Sequence, residues 1–357
     1  MSARVGEASG GACTLRRSDK DEPGISILTT HIKDYCPFWR EQTRLLPGWR
    51  SEFARAGRTG RIGSALHDFL WGWRLFVNSR DYHAVVTGWE RAALVLAALQ
   101  ALFRRKKVPH VLIYTLWQLP KSPLARMLRY AEYRLIASGV TRIVVYSLRQ
   151  RDLYARYFPF AASKLECVPY YTTHWDTDFT TSRGDYVFAG GDYTRDYRCL
   201  IDAVRDLGYR TVIAAVFRHY FEGLHIPDHV TIVTVKHREF IDLMAGARIV
   251  VVPLRDGLLQ SGGQQTYLNA MAMGKPVVVA DDCGADEYIQ NGTSGIVIAP
   301  GDAAALRDAL QTLWNDDTLA ASLGANAKSA ATAFSPDRFF LRVIEIVHET
   351  VRHSLTQ

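Results

Sequence analysis

The sequence predicts two doubly wound α/β domains joined by a short linker. Strand-like segments alternate with helix-like segments, and the strand cores are continuous apolar runs, which are typical of parallel sheets covered on both faces. The alternation is interrupted once, by the polar and aperiodic residues 172–184, and then starts again. A chain of 357 residues is also too long for one ordinary core and suits two domains of ordinary size.

The first half holds five predicted strands, each an apolar run bounded by polar or turn residues. They cover residues 24–30, 83–88, 108–117, 141–147 and 164–171. Between them, apolar residues recur three and four positions apart, which predicts helices over 89–107, 125–139 and 149–158. The second of these helices ends at Gly139, a residue type that commonly terminates helices.

The second half repeats the pattern with six predicted strands. They cover residues 185–191, 211–217, 229–235, 248–254, 276–280 and 294–299. The last predicted helix, 337–355, is long and amphipathic. These elements divide the chain into a disordered lead-in (1–23), a first domain (24–171), a linker (172–184), a second domain (185–336) and a C-terminal helical segment (337–357).

Composition predicts a soluble globular protein of a reducing compartment. Hydrophobic residues make up 48% and charged residues 22% of the chain. The five cysteines are odd in number and scattered, without a metal-ligand spacing. The polar N-terminus lacks the apolar stretch of a signal peptide, and the longest apolar run, 92–103, is too short to span a bilayer. We therefore expect a cytoplasmic protein.

Charge is distributed unevenly between the halves. Residues 1–180 carry 27 Lys and Arg against 15 Asp and Glu, whereas the remainder carries 16 against 21. Arginines alternate with aromatic residues over 37–76, and "RRKK" follows at 104–107. Arginine with tryptophan is typical of a membrane interface, so peripheral attachment to an anionic membrane is one interpretation. The aromatic residues could equally pack the core, and polyanionic glycans also bind such surfaces. No nucleic-acid-binding motif accompanies them, and no nucleic-acid partner is expected.

The stretch "SGGQQT", Ser261 to Thr266, opens the helix after the strand 248–254. In a parallel sheet, ligands bind beyond the carboxyl ends of the strands. Ser261 is predicted as the N-cap, and Gly262 and Gly263 would let a ligand approach the first-turn amides, which suit a phosphate. A tight loop that needs glycines only for its backbone is the alternative. If a ligand does bind at this helix start, Gln264, Gln265 and Thr266 would lie beside it.

Two further runs complete this half: "NAMAMGKPVVV" (269–279) and "GADEYIQNGTSGIVIAPGD" (284–302). With them, residues 248–302 resemble the donor half of GT-B glycosyltransferases, in particular the large retaining family four. Gly284, Glu287, Gly292, Gly295 and the Pro-Gly-Asp of 300–302 match the family pattern. The resemblance extends more thinly over 83–350. It implies a GT-B fold, an acceptor-side first domain, a nucleotide-sugar donor domain, chemistry in the cleft between them and a last helix that crosses back to the first domain.

The sequence departs from this family at the helix after the glycines. Two glutamates separated by seven residues are common there, the first contacting the sugar hydroxyls and the second the ribose. Ser261 and Asn269 occupy these positions. An amide can still hydrogen-bond a ribose hydroxyl, but a serine is too short to replace the first glutamate. Backbone amides, Gln264 or Gln265 are expected to take its place, and Glu287 is a further expected donor contact.

The resemblance also implies cations for the donor diphosphate. In the loop that contains Gly190 and Gly191, the family's arginine position is Gly190 and its lysine position is Arg195. Arg195 could hold phosphate oxygens through two hydrogen bonds, and its alternative is a surface arginine that caps its own helix. Arg218, after the strand 211–217, is a candidate second cation.

The catalytic base is the next feature to look for in the sequence. Many relatives carry a histidine where this chain has about Trp117, and His83 precedes its strand at the wrong end. Glu90 follows a strand and is a candidate catalytic base or acceptor contact, or else a carboxylate that stabilises a helix start. The leaving phosphate could itself accept the proton of the acceptor, as the retaining family implies.

We expect no metal and no other cofactor. Asp176 and Asp178 form an Asp-x-Asp triplet, and Asp281 and Asp282 follow a strand, but neither pair has the context of a metal-dependent site. The predicted function is sugar transfer from a UDP- or GDP-sugar to an acceptor, with retention, as in glycan or glycoconjugate biosynthesis. The acceptor is unidentified, and a lipid-linked or membrane-bound one would suit the basic half. A nucleotide-sugar epimerase or hydrolase on the same fold and a non-catalytic nucleotide-sugar-binding protein are the alternatives.

Overall fold

The computed structural model describes residues 25–30, 36–49, 61–88, 91–103, 108–114, 117–174, 179, 181–281 and 283–356. Within these residues the chain forms two six-stranded sheets, and every strand pair in both sheets is parallel. Helices cover both faces of each sheet. The predicted fold class, two Rossmann-like doubly wound domains, is confirmed.

The first sheet has the order β2-β1-β3-β4-β5-β6. Its strands are β1 (Ile27–Thr29), β2 (Thr43–Leu45), β3 (Ala84–Thr87), β4 (His110–Ile113), β5 (Arg142–Val145) and β6 (Leu165–Cys167). Its helices are α1 (Pro37–Gln42), α2 (Arg61–Asn78), α3 (Arg91–Leu102), α4 (Pro123–Gly139) and α5 (Leu148–Tyr157). The sequence analysis found the other five strands but missed β2, α1 and α2.

The second sheet has the order β12-β11-β10-β7-β8-β9. Its strands are β7 (Val187–Gly190), β8 (Thr211–Ala214), β9 (Val230–Val233), β10 (Ile249–Pro253), β11 (Val277–Ala280) and β12 (Ile296–Ile298). The helices that follow in the chain are α6 (Tyr197–Val204), α7 (His237–Gly246), α8 (Gln264–Ala272), α9 (Ala303–Asn315), α10 (Asp317–Ala331) and α11 (Pro336–Leu355). All six strands lie where the apolar runs predicted them.

Alternate residues of each strand enter different cores, which explains why the strands are apolar throughout. In β10, Val250 and Val252 belong to the core on one face, and Ile249 and Val251 to the core on the other. All four side chains are inaccessible to solvent. A strand with one solvent-facing side would instead show alternating polar residues.

Helix α11 leaves the second domain and packs on the first sheet. Phe340 and Val343 of α11 lie in one core with Ile27, Val86 and Val111 of the first sheet. The ring of Trp39, from α1, lies 4.8 Å from that of Phe340. Helix α11 thus joins the two domains. No helix of the described ranges combines the length and apolar character that crossing a bilayer requires.

Candidate functional site

A cleft of about 1090 Å³ lies between the two sheets, at the carboxyl ends of their strands. In each sheet the strand order reverses beside the cleft, between β1 and β3 in the first sheet and between β7 and β10 in the second. Thr30 and Gly88 line the cleft just after β1 and β3, and Gly191 lines it just after β7. Such switch points are where open α/β sheets bind ligands, because the loops on either side diverge.

The Ser-Gly-Gly stretch lies in this cleft at the start of α8. Gly263 is the N-cap and has a φ of 74°, so the prediction of Ser261 as N-cap was wrong. A Cβ on Gly263 would lie 2.7 Å from Cγ1 of Val252, and one on Gly262 would lie 2.9 Å from Oγ1 of Thr194. The glycines therefore let the loop after β10 approach the loop after β7. They also leave the start of α8 open to a ligand.

The first turn of α8 presents polar groups to the cleft. Gln264, Gln265 and Thr266 all line it. The Gln265 side chain is exposed, whereas Gln264 is buried and its Nε2 finds no acceptor within the described part of the chain. First-turn amides have no acceptor inside their own helix, and the helix dipole makes this end positive. This helix start is therefore suited to an anion.

Ser261 connects the two domains instead of capping the helix. Its hydroxyl lies 2.5 Å from the hydroxyl of Ser147, which is the N-cap of α5 in the first domain. The carbonyl oxygen of Cys283 lies 2.8 Å from the Ser261 hydroxyl and 3.1 Å from the Ser147 hydroxyl, so one hydroxyl donates to this carbonyl while the other donates to its neighbouring hydroxyl. These three residues join the start of α5 to the loops that follow β10 and β11.

Arg195 is the buried cation of the cleft. Its side chain is 5% exposed, and Nε donates to the carbonyl of Gly190 at 2.9 Å while Nη2 donates to Oγ1 of Thr266 at 3.1 Å. Burial lowers the pKa of this guanidinium. No carboxylate of the described residues lies within ion-pair distance of it, and the more distant Asp192 only partly offsets the effect of burial on this pKa. The N-cap of α6 is Asp196, whose carboxylate accepts from the amide of Cys199, so Arg195 does not cap that helix.

The described lining of the cleft is positively charged. It contains Arg91, Arg195 and Arg255 against one carboxylate, Asp192. The Asp192 carboxylate accepts from the backbone amides that follow β8, those of Val216 and Phe217, at 2.7 and 2.8 Å. A surplus of cations in a recessed cleft raises the local concentration of anionic ligands.

Three tyrosines form the first-domain side of the cleft. Tyr114, Tyr146 and Tyr170 follow β4, β5 and β6, and all three line the cavity. The rings of Tyr114 and Tyr146 stack at 4.6 Å with an interplanar angle of 8°. Burial raises the pKa of Tyr170 to about 12 and that of Tyr114 further. The sequence analysis missed these residues, although their position after strand ends was a usable signal.

Two residues of the cleft have a strained backbone. Tyr114 has a φ of 67° and Thr194 a φ of 68°, values that side chains other than glycine seldom adopt. The Tyr114 hydroxyl donates to the carbonyl of Ser261 at 3.2 Å, across the domain boundary. Such strain persists where surrounding contacts impose it, and it concentrates at functional sites.

Asn269 lines the cleft, but its side chain is hydrogen-bonded to the start of the linker. Its Oδ1 accepts from the hydroxyl of Thr172 at 2.8 Å and from the amide of Thr173 at 2.9 Å. Glu287 lies outside the cleft lining, and its carboxylate accepts from the amides of Leu148 and Arg149 at 2.8 and 2.9 Å. The carboxylate predicted to contact a donor thus binds the helix start of the opposite domain.

The remaining predicted contacts of the second domain lie around the cleft rather than in its lining. Gly190 ends β7, where a Cβ would overlap the ring of Phe240, and its carbonyl accepts a hydrogen bond from Arg195. Arg218 is exposed, and its Nη1 donates to the carbonyl of Ile232 at 3.3 Å. The structure therefore brings Arg195, Gly191 and the start of α8 together and leaves Arg218 apart.

Other candidates are accounted for as follows. Glu90 and the triplet 176–178 lie outside the described residues, as does Asp282. Asp281 accepts through Oδ2 from the amides of Cys283 and Ala285, at 3.0 and 2.6 Å, which stabilises a turn. Trp117 is buried and stacks on Tyr133 at 5.1 Å.

Comparison with known proteins agrees with this architecture. Residues 196–316 match the family model of the group 1 glycosyl transferases. An exopolysaccharide phosphotransferase of Streptomyces coelicolor is 28% identical over 135 residues, which are 38% of this chain and 14% of that protein. The chain thus spans a small part of that relative's length.

Solved structures match over nearly the whole chain. A glycosyltransferase from Rickettsia africae superposes with a TM-score of 0.65 at 12% identity, over 92% of this chain and 99% of that one. HepE of Anabaena, in complex with UDP-glucose, superposes with a TM-score of 0.61 at 15% identity, over 93% and 99%. These likenesses confirm the predicted resemblance at the level of the fold. The chain has the GT-B fold, and its residues 196–316 are similar to the group 1 glycosyl transferases.

Proposed function

We propose that this protein transfers a sugar from a nucleoside-diphosphate sugar to an acceptor bound in the cleft. The donor diphosphate would lie between Arg195 and the start of α8, and the acceptor would enter from the side of Tyr114 and Tyr146. The similarity of residues 196–316 to group 1 glycosyl transferases supports sugar transfer. The structure of HepE, which shares the fold, was solved in complex with UDP-glucose.

The buried, unpaired guanidinium of Arg195 is the observation on which this proposal rests. Burying a charge without a close counter-ion is costly, and the hydrogen-bond acceptors that described residues offer Arg195 are all neutral, with the Asp192 carboxylate acting only from beyond ion-pair distance. Its neighbour is the positive end of α8, since a Cβ on Gly263 would lie 3.6 Å from Nη1. Two positive groups facing one cavity are stabilised together by an anion such as a diphosphate.

The chemistry follows from this placement. The bond between the anomeric carbon and the diphosphate oxygen breaks, and a bond from that carbon to an acceptor hydroxyl oxygen forms. We propose that the departing phosphate oxygen takes the hydroxyl proton, because the one carboxylate of the described lining, Asp192, already accepts two amides. Arg195 and the α8 amides would stabilise the negative charge that develops on the leaving diphosphate. The match of 248–302 to a retaining family supports retention of configuration.

Replacing Arg195 tests the proposal. Arg195→Met keeps most of the side-chain volume without the charge, and Arg195→Lys restores the charge. For the methionine variant we expect the affinity for UDP or GDP to fall by roughly ten- to a hundredfold, the loss of a charge-assisted hydrogen bond of about 1.5–3 kcal/mol. Binding of the free nucleoside should change little, and lysine should recover part of the loss. Equal weakening of nucleoside and diphosphate would place Arg195 away from the phosphates and contradict the proposal.

Product analysis separates sugar transfer from the alternatives. An epimerase or hydrolase would consume a nucleotide sugar without an acceptor, and a binding protein would leave it intact. We expect turnover of a UDP- or GDP-sugar to require an acceptor and the glycoside to keep the anomeric configuration of the donor, as judged by NMR coupling constants. We also propose that transfer persists in the presence of EDTA, since cationic groups of the protein would neutralise the diphosphate. Inhibition by EDTA that Mg²⁺ reverses would contradict that part.

A further inference from the structure

Helix α2 has two apolar faces, of which only one is buried. Trp71, Leu75 and Phe76 pack into the first domain. The opposite face carries large apolar side chains that are 40–62% exposed: Leu66, Phe69, Leu70, Trp73 and Val77. Their spacing of three and four residues places them on one stripe of the helix. This arrangement revises the interpretation of segment 37–76, since Trp39 and Trp49 are also buried whereas Phe69 and Trp73 are not.

Helix α4 exposes a similar stripe. Leu124, Met127 and Leu128 are 63%, 62% and 60% exposed, and Leu135 continues the stripe. Helix α3 lies between α2 and α4, with Val95 against Gly72 of α2 and Ala97 against Gly139 of α4. The three helices therefore form one layer on one face of the first sheet. We call their exposed apolar residues the α2–α4 surface.

Two contacts connect the outer helices α2 and α4 to residues of the cleft. Arg91, at the start of α3, lines the cleft, and its Nη1 lies 3.6 Å from Oδ2 of Asp68 on α2. Gln118 also lines the cleft, and its backbone amide donates to the hydroxyl of Tyr133 on α4 at 3.1 Å. Both outer helices are thus connected to the first-domain rim of the cavity.

The charge around this surface selects its partner. Among the described side chains of residues 65–135, seven are Lys or Arg and three are Asp or Glu. Asp68 and Glu132, two of these three, lie within ion-pair distance of Arg91 and Arg129. A second copy of the chain docked face to face would bring two basic surfaces together, which is unfavourable. An anionic lipid bilayer offers both an acyl interior for the leucines and phenylalanine and negative headgroups for the cations.

We propose that the α2–α4 surface binds anionic membranes, and that the acceptor of the proposed transfer is a lipid-linked molecule presented at the cleft rim. This inference rests on the proposed function only for the acceptor. The membrane contact itself depends on exposed apolar area and charge. Tryptophan at position 73 would lie at headgroup depth, as such residues do at bilayer interfaces.

Vesicle co-sedimentation of the full chain tests the membrane contact. The probes are vesicles of phosphatidylcholine alone and of phosphatidylcholine mixed with phosphatidylglycerol, each at low and high salt. We expect pelleting with the mixed vesicles at low salt, reduced at high salt. The double variant Leu70→Glu/Met127→Glu changes one exposed residue on each outer helix and should lower the membrane partition coefficient by roughly tenfold or more. Leu355→Glu, at a residue 78% exposed on α11, is the matched control and should pellet as the wild type does.

The outcomes are distinguishable from those of the donor site. UDP binding by the double variant should match the wild type, because neither residue lines the cleft. Loss of UDP binding in Arg195→Met with unchanged pelleting would support both proposals, because the donor site and the membrane contact would then depend on different residues. Negligible pelleting of the wild type in all four conditions, or equal pelleting with both vesicle types, would overturn the membrane proposal. So would self-association of the wild type in analytical ultracentrifugation that the double variant abolishes without any lipid binding.

Discussion

The carboxylate of Glu287, in the second domain, caps helix α5 of the first domain through the amides of Leu148 and Arg149. Tyr288, the next residue, donates its hydroxyl to the carbonyl of Tyr146 and accepts from the amide of Tyr170. An anionic side chain at a helix start is stabilised by the dipole and by otherwise unpaired amides. The two domains therefore meet here through hydrogen bonds from Glu287 and Tyr288 to the backbone of four residues of the first domain.

Replacing Glu287 should open this contact without unfolding either domain. For Glu287→Ala we expect a loss of about 1 kcal/mol of capping free energy and faster hydrogen exchange at the amides of Leu148 and Arg149. Asp302→Ala is the matched control, because Asp302 caps α9 within the second domain by accepting from Ala305 at 2.9 Å. The control should leave exchange at 148 and 149 unchanged. If exchange there is as slow in Glu287→Ala as in the wild type, the cap does not hold the domains together.

The close approach of two loops at Gly262 makes a second prediction. In Gly262→Val the new side chain would meet Oγ1 of Thr194, where even a Cβ comes within 2.9 Å. We expect the affinity for UDP or GDP to fall by roughly tenfold or more, which is about 1.4 kcal/mol, as isothermal titration calorimetry measures. Gly257→Val is the control, because a Cβ there meets nothing within 4 Å although the φ of 71° adds strain. An equal loss of affinity in both variants would mean that the loop is merely loosened.

Buried His110 predicts how stability responds to acid. Burial lowers the pKa of this side chain from its ordinary 6.5 to about 3, and its Nε2 lies 2.8 Å from the hydroxyl of Thr87. Between these two pH values the unfolded chain binds the proton and the folded chain does not, so stability falls as pH falls from 6.5 toward 3. From pH 7 to pH 5 we expect His110 to account for a loss of about 2 kcal/mol.

Urea denaturation at both pH values measures this contribution. His110→Gln cannot titrate, so its own loss of stability between pH 7 and pH 5 should be smaller than that of the wild type by this amount. The comparison uses differences between pH values, which cancel the cost of the substitution itself. An identical loss in both proteins would show that His110 is protonated in the folded state or is not buried there.

The sequence predicted strands well where both of their faces are covered. β10 and β11 are continuous valine-rich runs because every side chain enters one core or the other. Within the described part of the chain, β2 (Thr-Arg-Leu) is an edge strand whose one partner is β1, and its middle residue is exposed. An edge strand of three residues leaves no apolar run to detect. Helix α2 was missed because its segment was interpreted through its arginines and aromatic residues, although it carries one buried and one exposed apolar stripe.

The site was predictable only where its chemistry is local. The glycines before α8 mark a close approach that a short motif can reveal, and they do lie in the cleft. The partners of Asn269 and Glu287 are far away in the chain, at Thr172 and Leu148. No periodicity encodes a contact of that kind, since it depends on how two separately folded sheets meet. The same holds for Ser261, whose partner is Ser147.

Helix α11 determines the order in which the two domains can complete their cores during synthesis. Residues such as Ile27, Val86 and Val111 emerge early from the ribosome, yet Phe340 and its neighbours, which cover them, emerge after every strand of the second sheet. The buried residues of the second domain lie between β7 and α10, so that core is complete before α11 exists. The growing chain therefore finishes its domains in reverse order. Until then, one apolar face of the earlier domain stays uncovered, as a surface that a ribosome-associated chaperone can bind.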